Sequence, residues 1–366
     1  MKVAVGVHVL RGVVYGALAL ALFGYGCSGK GCSCIRLPKW LSRSAPAEAV
    51  SSDVEMLGDG SEPRVTLRVA RWSGLRYRVV MEASGSIAFE GQPSAFGPTV
   101  VMTTDHEVIR GSADPIVERR NGVPIKLIEE RAVLESVRLR HDLTPPPVLA
   151  AWNQALLPFR GTTLRQLVTE SAGIAALTSE LLGGFAPPPE LKKAVDQGLD
   201  SQRHFPFRLP SVAVGMGARW RFREQLDVNG VHAVQVADMT LKAVDSNIAI
   251  VGLALRQDAP AQEVPHPLVP GAKALLEQFR GDGEGELTVD RLTAIVVRGR
   301  LASTSRLTLS GDVGGKHGTA TLVSASVIQT GATILADYDA GEDELPMAPD
   351  PGSARPAPNP SGAGPH

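Results

Sequence analysis

The side chains that could do chemistry are dispersed along this chain. Its eight histidines stand at 8, 106, 141, 204, 232, 266, 317 and 366, without an H-E-x-x-H or H-x-H pair or a Cys/His cluster, so their spacing supplies no metal-ligand set. His106 lies between Asp105 and Glu107, and His141 precedes Asp142. Adjacent side chains on a strand point to opposite faces, so these acids are not placed to orient an imidazole. Neither G-x-S-x-G nor S-x-x-K occurs in the body, and Ser171, in Thr-Glu-Ser-Ala-Gly, lacks the leading glycine of the first. The run Gly281-Asp282-Gly283-Glu284-Gly285 has phosphate-loop glycine spacing, but it is acidic and lacks the following lysine, so it reads as a turn and strand entry. Asp337, Asp339, Gly341, Glu342 and Asp343 depart from a calcium loop, which needs an oxygen ligand fifth and glycine sixth; a solvated acidic tail is the reading. A hydrolytic site would have to be assembled from unlinked residues such as Asp142 with His141, or Asp290 with Glu286. The expectation is therefore a chain without a catalytic, cofactor or metal site.

The clearest chemistry belongs to Cys27. Lys2 and Arg11 lead into the apolar run Gly12 to Gly26, which stops at this cysteine. That run is too short for a spanning helix, which takes about 20 residues, and extending it backward would bury Arg11. It reads as the apolar region of a secretory signal over residues 1–26. Phe23-Gly24-Tyr25-Gly26-Cys27 resembles the bacterial lipobox, with a small residue before the cysteine and Gly24 where leucine is usual. Cys27 is accordingly the expected lipid-attachment residue, and the chain an exported lipoprotein held at a membrane. Ser28 fits the outer-membrane, periplasm-facing destination. The other cysteines, Cys32 and Cys34, are too few to close a zinc site, and the body has none for an internal disulfide.

Charge sets further limits. Net charge is -1, but residues 1–43 carry six basic side chains and no acid, whereas six acids from Asp337 onward face Arg355 alone. The body between is near neutral, so no basic domain points to nucleic acid. Lys30, Arg36, Lys39 and Arg43 are placed to lie against anionic headgroups beside an acyl anchor. Residues 27–62 read as a lipid-anchored flexible linker. Residues 335–366, acidic and then rich in Pro, Ala, Gly and Ser, read as a disordered tail.

Residues 63–334 must supply the architecture, and strand patterns dominate them. Val65, Leu67 and Val69 alternate with Arg64, Thr66 and Arg68; Tyr77, Val79 and Met81 alternate with Arg76, Arg78 and Glu82. Such strands have one dry face and one wet face, as in antiparallel sheets. Trp220 and Phe222 alternate with Arg219, Arg221 and Arg223, and Asn229-Gly230 supplies a tight hairpin turn. A meander follows through Val231 to Lys242, a turn at Asp245-Ser246-Asn247, and Ile248 to Arg256. Further strands are expected over 64–70, 76–90, 99–110, 123–140, 286–292, 294–309 and 319–330, with 311–318 as a loop. Short helices are expected at 147–156, at 190–199 and through Ala272, Leu275, Leu276 and Phe279. The body thus reads as mainly β with minor α: long curved antiparallel strands in a meander, half-barrel-like, divisible into two similar halves at 63–205 and 206–334. Trp220 and Phe222 are the candidates to face a ligand or fill a core.

Leu209-Pro210, Val212 to Val214 and Gly215-Met216-Gly217-Ala218-Arg219-Trp220, with the later Gly283-Glu284-Gly285-Glu286-Leu287-Thr288-Val289-Asp290, resemble an uncharacterised family of secreted, myxobacterial-type lipoproteins. Its runs are LPxxPVGxGAxW and GxGxxxxD, and Ala213 stands where its second proline would be. The architecture is also similar to the half-barrels of periplasmic lipoprotein carriers, an analogy of fold alone. Together these imply a non-catalytic envelope module whose partners are the membrane through Cys27 and a hydrophobic ligand or lipid. The alternatives are a secreted hydrolase or a purely structural envelope protein.

Overall fold

The structure is a computed structural model that describes residues 54–120, 122–140, 145–180, 204–228, 231–265, 273–313 and 316–335. The strands are β1 (Val54–Gly58), β2 (Ser61–Val65), β3 (Arg76–Phe89), β4 (Ala95–Phe96), β5 (Thr99–Arg110), β6 (Ile116–Arg120), β7 (Val123–Arg140), β8 (Thr163–Thr169) and β9 (Ile174–Glu180). The chain continues with β10 (Val214–Met216), β11 (Arg219–Val228), β12 (Val231–Val244), β13 (Ile248–Ala259), β14 (Gln262–Pro265), β15 (Lys273–Asp290), β16 (Val296–Val313) and β17 (Lys316–Ile334). One α-helix, α1 (Pro146–Leu156), is present among the described residues, with proline in its first turn.

The fold is mainly β. A 15-stranded sheet runs β1-β11-β12-β13-β15-β16-β17-β3-β5-β7-β8-β9, with β4, β6 and β14 paired along its flanks, and it is not closed. Every pairing is antiparallel. Two meanders, β3 to β9 and β11 to β17, join where β17 pairs with β3 from Leu322↔Phe89 to Ile334↔Tyr77. Inner-face side chains from strands far apart in that order, Ile128 on β7, Val168 on β8 and Trp220 on β11, belong to one hydrophobic cluster, so the sheet curls around its core. A second cluster, with Leu276, Phe279, Leu309 and Leu322, fills the opposite end of β15 to β17. Helix α1 lies against β7, where Leu156 joins Val100, Leu139 and Phe159.

Polarity follows the alternation. Along β11 to β13 the outward positions pair charges across strands, with Arg221 Nε donating to Asp238 Oδ1 at 2.6 Å and Arg256 3.6 Å from the same carboxylate. Arg78 and Asp105 do likewise between β3 and β5 at 2.6 Å. The hydrogen bonds from arginine hold both aspartates below the usual carboxylate range.

Several expectations need correction. Leu275, Leu276 and Phe279 of the expected helix belong to strand β15, because a register shift between Leu276 and Gln278 inserts an extra residue and breaks the two-residue alternation; Ala272 lies outside the described residues. Of the expected 311–318 loop, 311–313 and 316–318 are strand instead: β16 runs through Gly311 to Val313 and pairs Gly311↔Gly318 and Asp312↔His317. Gly281 to Gly285 lies mid-strand rather than at a turn. The 64–70 strand ends at Val65, after which Leu67 and Val69 stay buried on irregular backbone. Asn229-Gly230 and the 190–199 helix lie outside the described residues, although Val228 and Val231 pair across the former.

Candidate functional site

The curled sheet gives its inner face three polar features, each built by a residue in phase with apolar neighbours. The first lies beneath the β2–β3 connection. Arg71 is in ion-pair contact with Glu130 Oε1, donates from Nε to the Thr293 carbonyl at 2.9 Å, and lies 5.6 Å from the centre of the Tyr77 ring. Tyr77 Oη and Gln166 Nε2 both donate to Glu130 Oε2, at 2.8 and 2.6 Å. The His106 ring stacks on Tyr77 at 4.6 Å, and Thr104 Oγ1 is 2.9 Å from its Nε2. Burial alone would push the Glu130 carboxyl up, but the charge of Arg71 and the bonds from Arg71 and Tyr77 hold it down. Burial, and then the Glu130 charge, push Tyr77 well up. Burial drives His106 from 6.5 to about 4 against the pull of Glu130, so it is a neutral ring at pH 7.

The second feature surrounds the two aromatic candidates. Trp220 and Phe222 are fully buried in the main cluster with Met239, Leu241 and Val251. Burying such side chains is worth roughly 1.5–3 kcal/mol each. Trp220 Nε1 donates to the Arg208 carbonyl at 2.8 Å, and the Arg208 guanidinium sits 4.4 Å from the centre of the Phe222 ring. Arg208 Nη1 donates to the carbonyls of Phe205 and Phe207 at 2.9 and 2.7 Å, and its Nη2 is 4.0 Å from Glu224 Oε1. Burial pulls the Arg208 pKa down, with Glu224 opposing. Among the described residues, Arg208 Nε and Glu224 Oε2 have no hydrogen-bond partner.

The third feature is a polar belt across six strands. Glu224 on β11, Gln235 on β12, Gln257 on β13, Gly281 on β15, Ser305 on β16 and Ser324 on β17 are successive cross-strand partners. Gln257 Nε2 donates to Gln235 Oε1 at 2.7 Å; the hydroxyls of Ser305 and Ser324 are 2.7 Å apart, those of Ser303 and Ser326 2.8 Å. The belt lies between the two large hydrophobic clusters. Gln257, Ser303, Ser305, Ser324 and Ser326 line a pocket of ≈ 10 Å³, room for about one water molecule. Crowding explains the glycines here: a Cβ on Gly283 would stand 3.0 Å from Ser303 Cβ.

Of the other sequence candidates, Asp105 and Glu107 face outward and pair with Arg78 and Arg131, whereas His106 faces in. Glu286 pairs with Lys242 at 3.0 Å. Asp290 Oδ1 accepts from the backbone and hydroxyl of Thr293 at 2.7 Å, closing the β15–β16 turn. The two acids are therefore engaged separately. Cys27, His141, Asp142 and the acidic run from Asp337 lie outside the described residues. Sequence reasoning missed Arg71, Glu130, Gln166, Arg208, Glu224, Gln235 and Gln257. The available signal was phase, since Glu224 continues the Trp220–Phe222 spacing and Glu130 that of Ile128 and Ala132.

No protein-family model matches the chain, and no curated protein matches it. Among solved structures, in-vitro folded OmpT, an outer membrane protein of Vibrio cholerae in its trimer form, aligns with 71% of this chain and 100% of its own at 8% identity and a TM-score of 0.20. A likeness at that score carries no argument about function. Membrane-spanning barrels turn apolar side chains outward to lipid. Here the inside is apolar, and the outside carries ion pairs such as Arg221–Asp238 and Lys242–Glu286.

Proposed function

We propose that this chain is an exported lipoprotein, anchored through Cys27 in the outer membrane and facing the periplasm, whose curled sheet is a non-catalytic binding or scaffolding module for a hydrophobic ligand or partner. The observation that carries the reading is the polarity of the sheet. Its inner face carries the hydrophobic clusters, interrupted by the bonded polar belt and the Arg71–Glu130 group, while its outer face pairs charges. That surface suits water outside and an apolar occupant or core inside. The signal-like run ending at Cys27 supplies the route to the envelope. The resemblance to secreted lipoproteins through Leu209 to Trp220 agrees with that compartment.

Solvent extraction and mass spectrometry of the full chain purified from membranes test the binding half of this reading. With Trp220 and Phe222 packed in the core, the expected result is no apolar molecule beyond the acyl chains released from Cys27, as for a scaffold; one recovered in near-equal amount supports the ligand-binding form of the reading. Hydrolysis of an ester or amide substrate by the purified chain, abolished by Asp290→Asn or Glu286→Gln, would replace the reading with an enzymatic one.

A further inference from the structure

The exposed apolar side chains are not scattered evenly. β3 starts, β5 and β17 end, and the β12–β13 and β15–β16 turns lie at one end of the sheet, because the antiparallel register sets Tyr77 opposite both His106 and Ile334, and Ile248 opposite Asp290. Trp72, Ile109 and Leu292 are exposed at that end. They are neighbours: Ala70 N donates to the Leu292 carbonyl at 3.0 Å, and Arg71 and Ser112 exchange bonds at 2.9 and 2.7 Å. β7 runs past the end of β5, whose Arg110 is opposite Glu129, and pairs there with β6. This projecting hairpin exposes Val117 (60%) and Val123 (61%).

The tip is held rigidly from below. Arg71, next to Trp72, is tied to Glu130, Thr293 and Ser112, so the indole stays out in solvent on a fixed framework. Exposed Arg68, Arg76 and Arg119 lie in the same segments. Tryptophan and arginine beside aliphatic side chains suit the layer where acyl chains meet headgroups. The chain from Cys27 joins the body at Val54, opposite Phe222 and three positions from the first residue of β11, which is also at this end.

We infer that this tip is a second membrane contact, in which Trp72, Ile109, Leu292, Val117 and Val123 enter the interfacial layer of a phospholipid bilayer. The inference rests on the reading that Cys27 anchors the chain, and the added contact would fix which end of the sheet faces the bilayer. Because the contact is chiefly apolar, it persists at raised salt.

The test uses the mature chain, residues 27–366 carrying Cys27→Ser, so that neither the apolar run Gly12 to Gly26 nor an acyl group contributes, with vesicles of phosphatidylethanolamine and phosphatidylglycerol. Cosedimentation is expected, and Leu292→Glu and Val117→Glu should each weaken it by at least about tenfold, the loss of one inserted side chain. Their melting temperatures should stay at the parent's value. Phe96→Glu, which removes another exposed apolar side chain on β4, opposite Ser86 far from the start of β3, should leave binding unchanged. Absence of vesicle binding by the Cys27→Ser chain, equal loss from Phe96→Glu, or a dimer in sedimentation velocity that Leu292→Glu splits while vesicle binding persists would overturn the inference. Failure of the anchor reading registers separately, as wild-type Cys27 without palmitate, and leaves the vesicle assay intact.

Discussion

Arg71–Glu130 and Arg208–Glu224 are both arginine–glutamate pairs inside the same curled sheet, yet they are bonded very differently. In the first, Glu130 receives Arg71, Tyr77 and Gln166, and Arg71 reaches the Thr293 carbonyl across the sheet. In the second the charges stand 4.0 Å apart, Arg208 spends its bonds on nearby carbonyls, and one polar atom of each residue lacks a partner. A buried ion pair offsets its desolvation only when the remaining bonding capacity is filled. The first pair therefore acts as a lock between the β2–β3 connection, β7 and the β15–β16 turn. The second is a polar end of the belt, held mainly by its apolar surroundings.

One isosteric change applied to both sites breaks the comparison most sharply. Glu130→Gln removes the charge that compensates Arg71 and should cost about 3–5 kcal/mol, the range for breaking a buried pair. Urea unfolding measures it; a loss near that of a surface substitution would mean that Arg71 is not tied by charge.

The same cluster should show the next largest effect through pH. The unfolded chain takes up a proton at His106 near 6.5, while the folded chain resists until about 4. Lowering the pH across that window therefore favours unfolding, by roughly 3 kcal/mol in all, since each tenfold difference in proton affinity between the two states is worth about 1.4 kcal/mol. Stability held by the depressed Glu130 pKa declines in the same direction as pH falls below its ordinary 4.5. His106→Gln should flatten the slope between 6.5 and 4; a slope unchanged by that substitution places the titration elsewhere.

Glu224→Gln keeps an amide oxygen to take the place of the carboxylate in its 2.7 Å contact with His204 Nδ1 and removes a charge that stands 4.0 Å from Arg208, so about 1 kcal/mol is expected, the worth of one hydrogen bond. A loss equal to that of Glu130→Gln would erase the distinction between the sites. Smallest is Arg221→Ala on the outer face, whose melting curve should scarcely move, since exposed pairs are screened by water.

What the sequence made legible follows the same physics. β5 and β7 run over the anticipated 99–110 and 123–140, as their β-branched and aliphatic runs imply, although β7 buries four consecutive residues from Leu127 to Glu130 rather than alternating there. α1 begins one residue before the anticipated helix, at a proline. Periodicity failed where the register itself slips: the shift after Leu276 makes a strand imitate helical spacing. Glycine misled twice, since at Gly283 it relieves crowding inside a strand, and at Gly311 and Gly318 it sits in a continuing ladder. Of the interior, the aromatic positions could be read from alternation, whereas Arg71, on irregular backbone between β2 and β3, continues the buried phase of Leu67 and Val69 but carries a charge that no apolar pattern picks out. Glu129 and Glu130 look alike in sequence, but the first pairs outward with Arg165 and the second turns in to Arg71.

Lipid on Cys27 at a membrane is the central claim. Growth with labelled palmitate, followed by fractionation of wild type and Cys27→Ala, tests it directly. Label and membrane recovery in the wild type, with both lost in the variant, is the predicted result. A Cys27→Ala chain that keeps its label and its membrane fraction would contradict it.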